Sequence, residues 1–214
     1  MAIFMRQQDD KETKTKLLVS ARKEFTEKGY MSASLRTICK NAGVTTGALY
    51  FFFKDKEDLF AALVEEPMNR LYEAMADHFQ SEMDMLRDGV MPMDDFSDDI
   101  MVAHQVVHSL FRYREEFLLI LTKSQGSRFE SSIDRFISLT EKHYRSIADG
   151  VALQWHTDKI DDYMVHWLSH MHIEAFVHML THEESEEDAL AHIPHIIKYF
   201  VAGFYGLFLM EEER

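Results

Sequence analysis

GVTTGALYFFFKDKEDLF, residues 43–60, sets four aromatic side chains in a row, Tyr50 to Phe53, and then turns at once to lysines and acids. Successive residues on a helix are separated by about 100°, so these four point all the way round its axis. No single core can take them all. Leu49 and Phe53 stand one turn apart and are assigned to the core. Tyr50 lies on the other side, where its hydroxyl can reach a phosphate, and Phe51 also faces outward. Phe51 can make only apolar contact, for instance with a thymine methyl. Phe52 falls between the two faces, and Lys54 and Lys56 follow where the helix ends and can meet a phosphate backbone.

Working outward, each neighbouring segment has its own start and stop signals. Thr45 caps a short helix running to about Phe53. Asn41–Val44 is a tight connection with Gly43 at its centre, suited to a positive φ. Ser34 caps another short helix over Leu35–Asn41. Upstream, Leu17, Leu18, Ala21 and Phe25 recur at helical steps within residues 10–28, and Gly29 is expected to stop that helix. Downstream, Asp55 opens a further helix. Asp58 makes a capping-box-like return, Leu59 and Leu63 form an apolar stripe, and Pro67 is expected to kink or break it. Two short helices joined by a four-residue, glycine-containing turn spell helix-turn-helix. Ile38, Ala42, Val44 and Leu49 stand where the pair must touch, and Cys39 is small at their closest approach. The second helix starts Thr45-Thr46-Gly47-Ala48, short side chains that let its N-terminus press into a major groove. The plain alternative is a core segment of an all-helical domain.

Residues 17–60 resemble the tetracycline-repressor (TetR) family of transcription regulators. The resemblance rests on Ala21 and Phe25, Gly29-Tyr30, Ser34 and Ile38, Ala42-Gly43-Val44, Gly47, Leu49-Tyr50, Phe53, Lys56-Glu57 and Leu59. It covers about the first quarter of the chain. It implies a homodimer that binds a palindromic operator in double-stranded DNA, usually as a repressor released by a small-molecule effector. By this resemblance Arg36, Thr46, Gly47, Ala48 and Phe51 approach bases, while Thr45, Tyr50 and Lys56 hold phosphates. Cys39 replaces the family's usual alanine. Phe52 stands where histidine or tyrosine is common, so a polar contact from that position is lost.

Charge is split along the chain. The 214 residues carry a net −14, but residues 1–60 hold eleven Lys/Arg against eight Asp/Glu, a balance of +3. The remainder holds twelve against twenty-nine, a balance of −17. One end tolerates phosphates and the other repels them, which points to two jobs on one chain. Eight glycines and three prolines leave long stretches without a turn signal, as helices require. The N-terminal stretch does not read as a signal peptide. The longest apolar run, Phe200–Met210, falls short of the roughly 20 residues a bilayer needs. The single cysteine, Cys39, excludes an intrachain disulfide and suits the cytoplasm.

Helices are expected near 95–112, 114–124, 127–150, 158–182 and 187–210, punctuated by Gly89–Pro92, Gly126, Gly150 and the acidic stretch 183–188. The last helix is apolar nearly all round, which demands partners on every side. Paired with the preceding helix and their symmetry mates it forms a four-helix dimer interface, with Phe200, Gly203, Phe204, Gly206 and Leu207 at the contact. A fully internal helix in a monomer is the alternative. Phe111, Phe117, Tyr144, Trp155, Trp167 and Met171 are candidate pocket-lining residues, with ordinary core packing as the other reading of each. His166/His170 and His178/His182 have metal-gripping spacing, but with no cysteine partner and no H-E-x-x-H unit they read as ordinary histidines, and no metal or cofactor is expected. No nucleophile–base pair and no phosphate loop appear, so no catalytic residues are assigned. The expected protein is all-α, with a helix-turn-helix DNA-binding domain at 1–56 and a helical ligand-binding and dimerisation domain at 57–214. The rival is a homodimeric ligand- or metal-sensing protein in which operator reading is vestigial.

Overall fold

The computed structural model describes residues 2–87 and 97–209. Among the described residues there are helices α1 (Ala2–Ser32), α2 (Leu35–Ala42), α3 (Thr46–Phe52), α4 (Lys56–Arg87), α5 (Ser97–Arg112), α6 (Arg114–Lys123), α7 (Ser132–Trp155), α8 (Asp162–His182) and α9 (Glu186–Leu209), and no strand. The expected break at Gly89–Pro92, positions 95–96 of the expected fifth helix and position 210 of the last lie outside the described residues. The chain divides into two units, one of residues up to Asn69 with Glu115–Ser132, the other of Arg70–Arg114 with Ile133 onward.

In the first unit the expected caps are present. Ser34 accepts from the Thr37 amide and Thr45 from the Ala48 amide. Gly43 sits at φ 69° and ends α2 in the left-handed region, where a side chain would be strained. Gly29, at φ 73° and ψ 163°, breaks the regular helix as its sequence signals, and the last turn of α1 follows beyond the kink to Ser32. Asp55 accepts from the Asp58 amide at 2.9 Å, and Asp58 accepts from the Lys54 amide at 2.9 Å, so α4 starts with the reciprocal cap that its sequence signals. The expected break at Pro67 does not occur, and α4 passes through it. Burial of Val64, Met68 and Leu71 on either side supplies the packing that offsets the lost hydrogen bond. The core is Leu17, Ala21, Phe25, Ile38, Leu49, Leu59, Phe60 and Val64, with Phe25 set edge-on to Phe60 at 4.9 Å.

The second unit packs α5, α7, α8, α9 and the later part of α4 around two apolar clusters. One gathers Tyr144, Val151, Val165, Leu168, Phe204 and Phe208, and the other Val107, Met179, Ile193 and Ile197. Gly150 does not close α7, which runs on to Trp155, because a glycine inside a helix costs only about 1 kcal/mol and the buried Ala148, Val151 and Ala152 hold this stretch. No described helix is long and apolar enough to cross a membrane.

Candidate functional site

The opening aromatics part as their helical positions require. Leu49 is fully buried and Phe53 nearly so, whereas Tyr50 is 59% and Phe51 70% exposed. Phe52 is half-buried and meets the Phe51 ring edge-on at 4.9 Å, so it props the exposed ring and leaves no polar group there. Arg36, Thr45, Thr46 and Gly47 are exposed and Ala48 is half-buried. α2 and α3 are held by deeper contacts. Ser20 Oγ donates to the Ile38 carbonyl at 2.8 Å, and the Ser34 amide donates to Glu24 Oε1 at 3.1 Å. Burial raises the Cys39 thiol above its ordinary range, which makes it a packing residue rather than a reactive one. Lys56 is less free than its sequence position suggests. Its ammonium donates to the carbonyls of Met31 at 3.1 Å and Ala33 at 3.4 Å and lies 4.7 Å from the centre of the Tyr30 ring. It ties the end of α1 to the start of α4, and one of an ammonium's three donors remains for a phosphate.

The second unit holds a cavity of about 110 Å³ whose lining includes Met75, Phe79, Val106, Tyr144, His172, Phe176 and Phe200, with His78, Glu82, Asp99 and His143 at one wall. Typical ligand pockets are about 300–1,000 Å³. A drug-sized ligand therefore needs the phenylalanines and methionine to swing aside. His172 is half-buried beside Tyr144, whose hydroxyl oxygen lies 3.0 Å from its Nδ1. Burial holds the imidazole down at about 4, so it is neutral at pH 7. At the polar wall, burial and then the neighbouring Glu82 carboxylate push Asp99 up to about 7. Burial opposes ionisation of Glu82, yet the hydrogen bond and charge of His143, with His78, hold it below its ordinary value. Burial lowers His78 against the pull of Glu82.

Residues 17–63 match the model of the bacterial regulatory proteins of the tetR family. The HTH-type transcriptional regulator AcrR of Shigella flexneri is 47% identical over 58 residues, 27% of each chain. The HTH-type transcriptional repressor AcnR of Corynebacterium diphtheriae is 30% identical over 135 residues, 63% of this chain and 59% of the relative. Over this N-terminal segment the chain is similar to the tetR family. The relatives it matches are helix-turn-helix transcriptional regulators. These matches span about a quarter and three-fifths of the relatives' lengths. The fold extends further. The crystal structure of NalD, titled the secondary repressor of the MexAB-OprM multidrug efflux pump in Pseudomonas aeruginosa, superposes with a TM-score of 0.57 over 89% of this chain and 95% of its own, at 20% identity.

In this chain the expected pocket residues scatter. Only Tyr144 of the six lines the cavity. Phe117 is buried in the other unit, Trp167 is 44% exposed, and Trp155 and Phe111 pack against the two apolar clusters. Met171 is half-buried without lining the cavity. Among the expected interface residues, Phe204 is only 5% exposed because it packs against Tyr144 and Phe208 within its own chain. Phe200 lines the cavity, Gly203 is exposed, and Gly206 and Leu207 are half-buried. Tyr163, Trp167, Tyr199 and Leu209 are instead the large apolar side chains that α8 and α9 leave exposed. Sequence reading missed the α4 contribution altogether. The signal was there, since Met75/Phe79 and His78/Glu82 are two i, i+4 pairs.

Proposed function

We propose that the chain is a cytoplasmic, homodimeric repressor that reads a palindromic operator with α3 and lets go when a small molecule binds in its second unit. The supporting observation is the two-faced α3. Its N-terminus is capped by Thr45, Leu49 is buried behind it, and Thr46, Gly47, Tyr50 and Phe51 stand in solvent. A helix that exposes an aromatic pair beside short N-terminal residues is built to meet a surface, and a major groove accepts it with its first turn leading. In this assignment Arg36, Thr46, Gly47, Ala48 and Phe51 approach bases, and Thr45, Tyr50 and Lys56 the phosphates. Residues 1–56 read DNA, while 57–214 dimerise and bind the effector.

Dimerisation runs through α8 and α9. Tyr163 at 73% exposure, Trp167 at 44% and Tyr199 at 64% give these helices an apolar surface, and exposed Gly203 lets a second backbone approach. The effector is apolar or amphipathic, and neutral or cationic. Aromatic and aliphatic groups dominate the cavity, while Glu82 and Asp99 at its wall repel anions. Ligand shifts the population of dimers away from those whose recognition helices match successive major grooves about 34–36 Å apart.

Footprinting of the chain on its own upstream DNA, followed by anisotropy titration, tests this reading. A protected palindrome, lost to Tyr50→Ala in a folded protein, is the expected result. Binding without sequence preference, or unchanged by Tyr50→Ala, overturns it in favour of the sensor whose operator reading is vestigial.

A further inference from the structure

We propose that His78, Glu82, Asp99 and His143 bind one divalent transition-metal ion, of the zinc type, in the polar wall of the second unit's cavity. The four come from three helices. His78 and Glu82 are one turn apart on α4, Asp99 is in the first turn of α5, and His143 is on α7. His78 Nε2 is 3.5 Å from Glu82 Oε2 and 3.7 Å from Asp99 Oδ1. His143 Nε2 is 2.9 Å from the same Glu82 oxygen. Metal bonds of about 2.0–2.2 Å in a tetrahedron separate donor atoms by roughly 3.3–3.6 Å. The histidine–carboxylate edges on α4 and α5 are thus within a few tenths of an ångström of a coordination polyhedron, and His78, Glu82 and Asp99 offer donor atoms that all lie within 4.8 Å of one another. His143 stands outside that trio, meets it through Glu82, and joins the shell as the fourth ligand only by moving towards His78 and Asp99.

Three further observations separate this cluster from an ordinary set of surface acids. First, its side chains are largely withdrawn from water, with exposures of 16% for His78 and Glu82, 19% for Asp99 and 7% for His143. His143 stacks on Phe79 with ring centres 3.9 Å apart, its Nδ1 has no hydrogen-bond partner, and its Nε2 is turned to Glu82. Second, two carboxylates sit here without a permanent cation. Among the described residues, no lysine or arginine lines the cavity or the groove on its other side. Buried carboxylates without a cation are costly, and a metal ion supplies the missing charge. Third, the cluster has two open sides. His78, Glu82 and Asp99 line both the apolar cavity and a groove formed with Ala74, Asp77, Ser81, Asp98 and Gln105. The groove is an entry path, with Asp77 and Asp98 to attract a cation.

The donor set decides the metal class. Two imidazoles with two carboxylates suit zinc and neighbouring first-row ions, whereas magnesium and calcium prefer all-oxygen shells. The site differs from the His166/His170 and His178/His182 pairs, which belong to α8 and lie outside both linings. It also stands independently of operator reading, since no residue of α2 or α3 takes part.

Full-length protein is stripped with chelator, dialysed and titrated with zinc by calorimetry, and cobalt(II) is added separately to follow the visible spectrum. One zinc per chain is expected, with a cobalt band that zinc displaces. Glu82→Gln keeps side-chain size and should weaken zinc by at least about 100-fold, as should Asp99→Asn; circular dichroism and thermal melting of the stripped proteins confirm that both are folded. The paired His166→Ala/His170→Ala and His178→Ala/His182→Ala variants should bind as wild type. No stoichiometric zinc binding, or binding that survives Glu82→Gln and vanishes in either α8 variant, overturns the proposal. So does an organic ammonium that binds competitively with a tighter affinity than zinc, which would make the carboxylates an amine site. None of these outcomes bears on whether α3 reads DNA.

Discussion

Mutating the aromatic run one residue at a time should separate folding from DNA reading within a single turn of helix. Leu49 is fully buried, so Leu49→Ala removes a packed side chain and leaves a cavity, a loss of about 2–5 kcal/mol. That is a large part of a domain's roughly 5–15 kcal/mol. Phe51, at 70% exposure, has little apolar surface withdrawn from water, so Phe51→Ala should cost the fold less than about 1 kcal/mol. In a complex the order reverses. A base contact is worth about 1–3 kcal/mol of discrimination, so Phe51→Ala should weaken the operator by roughly 5- to 150-fold and relax preference at one base step. Tyr50→Phe removes only a hydroxyl. A hydrogen bond to a charged phosphate contributes about 1.5–3 kcal/mol, so all sequences should weaken together, by about 10-fold or more. Because that hydroxyl is neutral and displaces no counterion, the salt dependence of binding should keep its slope.

Anisotropy titrations of operator and scrambled DNA at several salt concentrations, paired with thermal melts of each variant, read all of these quantities. The reasoning is refuted if Phe51→Ala lowers the melting temperature as far as Leu49→Ala does. It is equally refuted if Tyr50→Phe binds operator as well as the wild type.

Lys56→Ala should lower both stability, by about 1 kcal/mol from the lost carbonyl and ring contacts, and the salt slope by up to about one, read by melting and by salt titration. A lower melting temperature with an unchanged slope would make Lys56 purely a strut. Tyr199→Glu places a charge on an exposed position, so sedimentation should show a folded monomer, whereas Phe204→Glu buries a charge in a packed cluster and should unfold the second unit. A Tyr199→Glu dimer would move the interface elsewhere. His172 is held below its ordinary value, to about 4, among Tyr144, His143, Glu82 and His78, so the stability it contributes is complete above about 6.5 and is lost as pH falls towards 4. Asp99, held up at about 7, acts in the opposite sense over the same range in both proteins, so the test is the difference: between pH 6.5 and pH 5 the wild type should lose about 2 kcal/mol relative to His172→Gln in urea titrations. A pH dependence identical in the two proteins would show that His172 contributes nothing to it.

The helix-turn-helix part was legible because its signals are local. A cap, a glycine at positive φ and a one-turn repeat of core residues each act within four residues, and Ser34, Gly43, Thr45, Leu49 and Asp58 all behave in the structure as their neighbours dictate. Even there, tertiary contacts changed the meaning of particular residues. Lys56, which sequence sets among the phosphate contacts, also holds the carbonyls of Met31 and Ala33, and these lie 25 and 23 residues away in sequence. Glu24 is the same kind of residue. Only folding brings its carboxylate to the Ser34 amide, and the sole trace of this in sequence is an acid next to the buried Phe25.

The cavity of the second unit was illegible for a sharper reason. Aromatic and methionine side chains pack a core and line a pocket equally well, so composition cannot separate Trp155, which packs a cluster, from Tyr144, which lines the cavity. Polar residues on buried faces discriminate better, because burial without a partner is costly. His78 and Glu82 share a face of α4 with Met75 and Phe79, and that mixture on a buried stripe is the clue a packing explanation cannot absorb. What completes the cluster is not periodic at all. Asp99 and His143 arrive from α5 and α7, and no spacing rule links residue 82 to residue 143. The histidine pairs whose spacing does look like a metal grip lie on exposed parts of α8, where water already satisfies them. Spacing along one helix therefore pointed to the solvated histidines and away from the buried ones. Desolvation is the better guide here, because it makes the charge of Glu82 and Asp99 a deficit that only a bound cation or a proton can fill.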